Sequence, residues 1–240
     1  MSESDIDVEM FGNVGNMAGI SAETANEERA ELTRQLEYNR VRLRELPDDA
    51  APLERARLKL DVAESLVVLS RGEEAWGLAR DAFNTAMEAE SWQDAVEACN
   101  VLYQTEQPAS IPALGMGIWL AVTFPINPEL SYTMLDHLVD ETQPTADGAA
   151  LAAVTAKYII DIRASDEQHD SISFLATNLI SRVADRHSQV KTQVGMDVWL
   201  DKLELRDPAV FLPRLGLVIG AIVEEQWWFD RDELRGKLPE

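Results

Sequence analysis

The chain is poor in the residues that metal centres and nucleophilic catalysis require. Its 240 residues include one cysteine and three histidines, and no His-Glu-x-x-His pattern occurs. One cysteine cannot form an internal disulfide, and a Cys-based zinc or iron–sulfur site needs several. Glycine-rich phosphate loops and a Gly-x-Ser-x-Gly nucleophile elbow are also missing. We therefore expect no metal, no cofactor and no enzymatic activity.

An all-α enzyme or metal-dependent protein is the least favoured alternative, and three features carry it. His137 shares a helix face with Asp140 and Glu141, and residues 166–170 read Asp-Glu-Gln-His-Asp. Acids at a helix start serve capping and the helix dipole, so we interpret both groups as solvated helix surface. Cys99 falls in an apolar stripe and is interpreted as a buried small hydrophobe.

Basic residues are scarce as well. There are 21 Lys+Arg against 43 Asp+Glu, which gives a net charge of -22. Nucleic acids and anionic membranes both attract clustered Lys and Arg, so neither is expected as a partner. Residues 61–162 hold 16 acidic and only 3 basic residues, a local net charge of -13. This block is either an ordinary solvated surface or an acidic surface that docks a basic segment of a protein or peptide partner.

Long apolar runs are missing too. The two candidates are Ile111–Phe124, with Pro112 inside it, and Leu215–Val223. Both are shorter than the roughly 20 residues of a membrane-spanning helix, so we predict buried helices and expect no membrane partner. Membrane contact through residues 111–124 is the alternative. The N-terminus has neither the basic nor the apolar region of a secretory signal, which predicts a cytoplasmic protein.

What the chain does have is helical periodicity. Apolar residues recur at i, i+3, i+4 and i+7, and no alternating strand pattern competes. Capping signals place helix starts near 54, 91, 127 and 165, with second starts near 73, 110 and 146. Two helices per unit of about 36 residues is the period of an α-solenoid. The fold class predicted is therefore all-α, a short solenoid of helical hairpins.

Two segments carry a family resemblance. Residues 72–76 read Gly-Glu-Glu-Ala-Trp and residues 91–95 read Ser-Trp-Gln-Asp-Ala. They resemble the inter-helix turn and following small residue of tetratricopeptide-type repeats, over about residues 54–164. The step here is about 37 residues, against 34 in that family. The resemblance implies a TPR-like solenoid rather than a family member with a concave peptide groove, and a globular multi-helix domain is the alternative.

The pattern divides the chain into three parts. Residues 1–20 are predicted to be a disordered acidic tail, 21–190 the hairpin solenoid and 191–240 a C-terminal helical cap. Thr24 and Glu27 form a capping box that opens an N-terminal helix. Its seam has coiled-coil spacing and consists of Leu32, Leu36, Leu43 and Leu46. We expect this helix to pack on the next one, with homo-oligomerisation through residues 24–46 as the alternative.

The most conspicuous cluster is the aromatic run Trp227, Trp228 and Phe229. Three consecutive aromatics cannot share one helix face, so they either fold back on the solenoid as a cap or form a binding hot spot. The candidate partner-binding residues are these three together with Trp76, Glu73 and Glu74.

The function predicted is protein–protein interaction, as an adaptor, assembly factor or chaperone-like accessory protein. A structural subunit of a larger complex is the alternative.

Overall fold

The fold is all-α, as the periodicity predicts. The computed structural model describes residues 12–238, with side-chain surroundings from residue 26 onward except at position 28, and this part of the chain contains helices and no strand. The helices are α1 Gly12–Glu45, α2 Pro52–Val68, α3 Gly72–Glu88, α4 Trp92–Gln104, α5 Ser110–Thr123, α6 Pro128–Glu141, α7 Asp147–Arg163, α8 Asp166–Ser188, α9 Gln193–Lys202, α10 Pro208–Val223 and α11 Arg231–Arg235.

The predicted repeat is visible in helices α2 to α8, whose first residues lie within two positions of the starts given by the sequence. We name α2, α4, α6 and α8 the A helices, and α3, α5 and α7 the B helices. Each helix from α1 to α8 packs against the next one in the chain, and each A helix also contacts the following A helix. This sequential packing makes the molecule solenoid-like.

Side-chain caps explain several helix starts. Asn127 Oδ1 accepts from the backbone N–H of Glu129 at 2.8 Å, and Asp230 Oδ1 accepts from the N–H of Asp232 at 2.9 Å. Ser91 stands at the predicted N-cap of α4, but its hydroxyl donates to the Asp94 carboxylate instead of capping the backbone.

The first helix is longer than the sequence indicated. It begins at Gly12, twelve residues before Thr24, so residues 12–20 of the predicted tail belong to α1 and residues 1–11 lie outside the described chain. Leu36 is 1% exposed, and Leu32 and Leu43 pack against the core. The leucine seam therefore packs against the core of the same chain. A dimer through residues 24–46 would need the other side of α1, where Tyr38 is exposed.

Helix α5 lies in the centre of the core. It is buried along nearly its whole length, which confirms the buried-helix interpretation of the first apolar run. Gly117 faces Met134 and Cys99 so closely that an added Cβ would lie 2.4 Å from Met134 Cε and 2.6 Å from Cys99 Cβ. None of the helices in residues 12–238 has the length and hydropathy required to cross a bilayer.

The C-terminal part of the chain covers the B helices. Helix α10 packs on α5 and α7, where Val223 lies against Gly115. We name residues 224–238, which follow α10, the C-terminal strap. The strap contains the aromatic run and α11, and Leu234 of α11 is buried.

Candidate functional site

The A helices present an acidic surface built from three consecutive hairpins. We name it the acidic face, and its residues are Asp61 and Glu64 of α2, Glu97, Asn100 and Tyr103 of α4, and His137, Asp140 and Glu141 of α6. Within each helix these residues recur at intervals of three or four, so they share one side of the helix. The three helices contact one another in order, and the three sides form one surface.

Polar side chains connect neighbouring A helices in a ladder. The Arg57 guanidinium donates twice to the Asp94 carboxylate, at 2.9 Å in each bond. His137 Nε2 lies 3.1 Å from Asn100 Oδ1. The Tyr103 hydroxyl donates to Glu141 Oε1 at 2.7 Å. These pairs are separated by 37, 37 and 38 residues, which is the step of the repeat, so equivalent positions in successive hairpins meet.

Asp94 of α4 accepts the hydrogen bonds that connect α4 to α2 in this ladder. It is one of the few buried charged residues, at 7% exposure. Burial raises its pKa, but the hydrogen bonds from Arg57 and Ser91 and the charge of Arg57 outweigh burial and leave the pKa below its usual range. Asp94 is therefore a structural carboxylate, already matched by a cation.

Three carboxylates of the acidic face, on α2 and α4, lack such a partner. Glu64 forms no ion pair with any cation in the described chain, and neither do Asp61 and Glu97, although other acids on nearby helices do. Lost hydration, followed by the charges of Asp61 and Glu97, raises the pKa of Glu64. Burial also raises the pKa of Asp61, against the opposing charge of Arg42. Three like charges therefore crowd one patch of the surface.

A cleft of about 530 Å³ continues the acidic face at the C-terminal ends of α2, α4 and α6. The rings of Tyr103 and His137 pack against each other in it, with centroids 4.7 Å apart and planes inclined by 44°. Burial, then the hydrogen bond to Glu141 and the neighbouring acids, raises the pKa of Tyr103 far above its usual range. Burial lowers the pKa of His137 in spite of three nearby carboxylates. The cleft combines an aromatic wall with the exposed carboxylates of Glu106 and Glu141.

The aromatic run forms a second cluster, on the B helices. The Trp228 ring lies edge-on to Phe83 at 5.2 Å and to Trp76 at 6.2 Å, and the Arg80 guanidinium stacks 3.5 Å from its centroid. Arg80 Nη1 is buried and has no hydrogen-bond partner within residues 12–238. The cation is held by aromatic faces instead.

The other two aromatics of the run reach α5. Trp227 lies 6.3 Å and Phe229 5.5 Å from the Trp119 ring. All three side chains of the run are half-buried. The run therefore packs on α3 and α5, the arrangement that the cap interpretation describes, and its role in partner binding stays a prediction.

The structure separates the predicted site residues into two groups. Trp76 joins the aromatic run through Trp228. Glu73 and Glu74 are exposed at the start of α3, and Glu74 accepts from Arg71 at 2.6 Å and from Arg40 of α1 at 3.4 Å. Glu74 thus ties α3 to α1, and no described contact joins it to the aromatic run.

The residues considered for metal or nucleophilic chemistry either lie against polar side chains of this chain or are buried in its core. His137 hydrogen-bonds Asn100, and His169 lies 3.2 Å from Asp161. Cys99 is fully buried, and burial raises the pKa of its thiol far above the usual range, so the reactive thiolate is disfavoured. In the described part of the chain no group of His, Cys, Asp and Glu is arranged to hold a metal ion.

Sequence reasoning predicted an acidic surface within residues 61–162 but not the residues that form the acidic face, and it did not show where the strap packs. The signal for the acidic face was available, because adding the 37-residue step to Asn100 gives His137 and adding it to Arg57 gives Asp94. Arg80 and Trp119 gave no such signal, since nothing local shows that a segment more than a hundred residues later covers them. In the comparisons with known proteins, no family model, curated protein or solved structure matches this chain.

Proposed function

We propose that this protein is a TPR-like helical-repeat adaptor or assembly factor that docks a basic segment of a partner protein on its acidic face. The observation that supports it most directly is that the like-charged Asp61 and Glu64 of α2 and Glu97 of the adjacent α4 repel one another, and none of them forms an ion pair in the described chain. A Lys or Arg side chain of a partner relieves that repulsion and makes charge-assisted hydrogen bonds. The adjoining cleft offers Tyr103 as an aromatic wall for the same kind of side chain.

A structural subunit of a larger complex is the second candidate. It is supported by Phe174 and Leu175, which are 65% and 49% exposed on α8, the last A helix. Large exposed apolar side chains of this kind occur at permanent contacts between subunits. The two candidates differ in their response to salt, since an apolar contact is not weakened by ionic strength.

Partner capture tests the leading candidate. We expect the partner captured by the immobilised full chain to be released as salt rises, because exposed charge pairs are screened. A variant with Glu64, Glu97, Glu106 and Glu141 replaced by glutamine should bind the partner roughly 10-fold or more weakly, since each exposed pair contributes up to about 1 kcal/mol. Binding is measured by calorimetry once mass spectrometry has identified the captured protein.

The matched control removes the same charge elsewhere. Glu54, Glu88, Glu167 and Glu225 are exposed and form no ion pair with other described residues. Replacing these four by glutamine should change affinity less than about threefold. Equal losses in both variants would show that total charge rather than the acidic face attracts the partner, and capture that is indifferent to salt would favour the structural subunit.

The charged Glu64 side chain should lower the stability of the fold at neutral pH, although the proposal uses that charge for partner binding. The pKa of Glu64 is higher in the folded state than in the unfolded chain. Its carboxyl group therefore stabilises the fold at pH values below the unfolded-state pKa, and this contribution is lost as pH rises through the folded-state pKa. Glu64→Gln keeps the neutral form, so we expect a higher Tm than wild type at pH 7 and no difference at pH 3, below the usual glutamate pKa of about 4.3. Thermal unfolding at the two pH values measures this.

The control for that experiment is Glu225→Gln, an exposed position on the strap, which should leave Tm unchanged at both pH values. A lower Tm for Glu64→Gln at pH 7 would contradict the electrostatic account of the acidic face.

A further inference from the structure

A cleft of about 370 Å³ opens on the B-helix side of the molecule, away from the acidic face. The C-terminal end of α5, the middle of α10 and helix α11 form its walls. Its volume falls in the range of about 300–1,000 Å³ that is typical of small-molecule sites. The proposed function makes no use of this cleft.

The floor and one wall are apolar. The Trp119 side chain of α5 lines the floor, and Leu212 and Leu217 of α10 line the wall. Leu217 is 75% exposed, an unusual position for a leucine. Gly216 stands beside it with open space in front, since an added Cβ would meet no atom within 4 Å. Helix α10 carries no charge after Arg214.

The other wall is cationic. Arg231 and Arg235 of α11 both line the cleft, and no acidic residue does. The Arg231 guanidinium lies 4.3 Å from the Trp227 centroid and forms no ion pair with another described residue. Arg235 pairs with Asp232 at 2.7 Å and lies 5.6 Å from the Trp119 centroid. Two guanidinium groups therefore border an apolar cleft in a chain of net charge -22.

We propose that this cleft binds a small amphipathic carboxylate, an unbranched alkyl chain that ends in a carboxyl group. The alkyl chain lies along Trp119, Leu212 and Leu217, whose contact with water it removes. The carboxylate accepts hydrogen bonds from Arg231 and Arg235, because the planar guanidinium fork matches carboxylate geometry. A neutral ligand would leave Arg231 without an anionic partner, and a cationic ligand would be repelled by both guanidinium groups.

Decanoate, used below its micelle concentration, is the probe for the full chain, with binding measured by isothermal calorimetry. Decan-1-ol has the same chain without the charge, and acetate has the charge without the chain. We expect decanoate to bind, decan-1-ol to bind at least 10-fold more weakly and acetate to give no measurable heat. Equal binding of decanoate and decan-1-ol, or no binding of decanoate, would overturn the proposal.

Two sets of variants locate the site. Gly216→Phe fills the cleft and should abolish decanoate binding, whereas Gly77→Phe on α3, where an added Cβ also meets no atom within 4 Å, should leave it intact. Arg231→Gln and Arg235→Gln should each weaken decanoate at least fivefold and leave decan-1-ol unchanged. Circular dichroism verifies that each variant is folded. If Gly216→Phe binds decanoate as tightly as Gly77→Phe does, the ligand is not in this cleft.

Discussion

Gly72→Ala should lower the free energy of unfolding by about 3 kcal/mol, the upper part of the range for an overpacked site. A Cβ at this position would lie 2.2 Å from the carbonyl oxygen of Thr105 and 2.9 Å from its carbonyl carbon. Both are backbone atoms, so the clash cannot be relieved by turning a side chain. Chemical denaturation measures the loss, and Tm should fall by roughly 10 °C at this chain length.

The Thr105 backbone has little freedom to move. Its hydroxyl donates to the Leu102 carbonyl at 2.6 Å, and the buried Ser110 hydroxyl donates to the same carbonyl at 2.8 Å. The end of α4 and the start of α5 are thus tied together where α3 begins. The sequence identifies Gly72 as part of an inter-helix turn. The structure shows that glycine is needed there because a larger residue would clash with the Thr105 backbone.

Gly77→Ala is the matched control, five residues later on the same helix. An added Cβ at Gly77 meets no atom within 4 Å. The variant should gain about 1 kcal/mol, since alanine is the better helix former. If both variants change stability by the same amount, helix propensity rather than the contact with Thr105 decides the effect at Gly72.

Trp228→Ala should also lower the free energy of unfolding by about 3 kcal/mol, the low end for removing a large aromatic, because the side chain is half-buried. The change removes the edge-on contacts with Trp76 and Phe83 and leaves Arg80 without the ring that it stacks on. Chemical denaturation measures the loss.

Loosening of the strap should accompany that loss. Glu224, at the start of the strap, has φ 52° and ψ -125°, a conformation that costs a non-glycine residue about 1–3 kcal/mol. The aromatic contacts hold the strap against this strain, so Trp228→Ala should make trypsin cleavage at Arg231 and Arg235 faster. Phe174→Ala, at a side chain 65% exposed, is the control and should change stability by less than about 0.5 kcal/mol. Unchanged proteolysis in Trp228→Ala would show that other contacts hold the strap.

The same variant separates the two interpretations of the aromatic run. If Trp228→Ala remains folded and captures the partner as well as wild type does, the run is a cap. Loss of capture without loss of structure would establish the aromatic run as a binding hot spot. The protein would then have two partner-binding surfaces, the aromatic run and the acidic face.

The helices of the repeat could be predicted from the sequence because their causes are local. Apolar spacing of three and four fixes which side of a helix is buried, and residues such as Asn127 fix where a helix begins. The start of α1 could not be found in this way, because the capping box at Thr24 is compatible with a helix that continues through it.

The sequence by itself determined that the fold is all-α, that its hairpins recur every 36–38 residues and that α5 is buried. Only the tertiary structure decided which surfaces meet. A hydrophobic stripe specifies that a helix face leaves water but not which element covers it, so the packing of Trp228 on Arg80 and the approach of Glu64 to Glu97 depended on long-range packing.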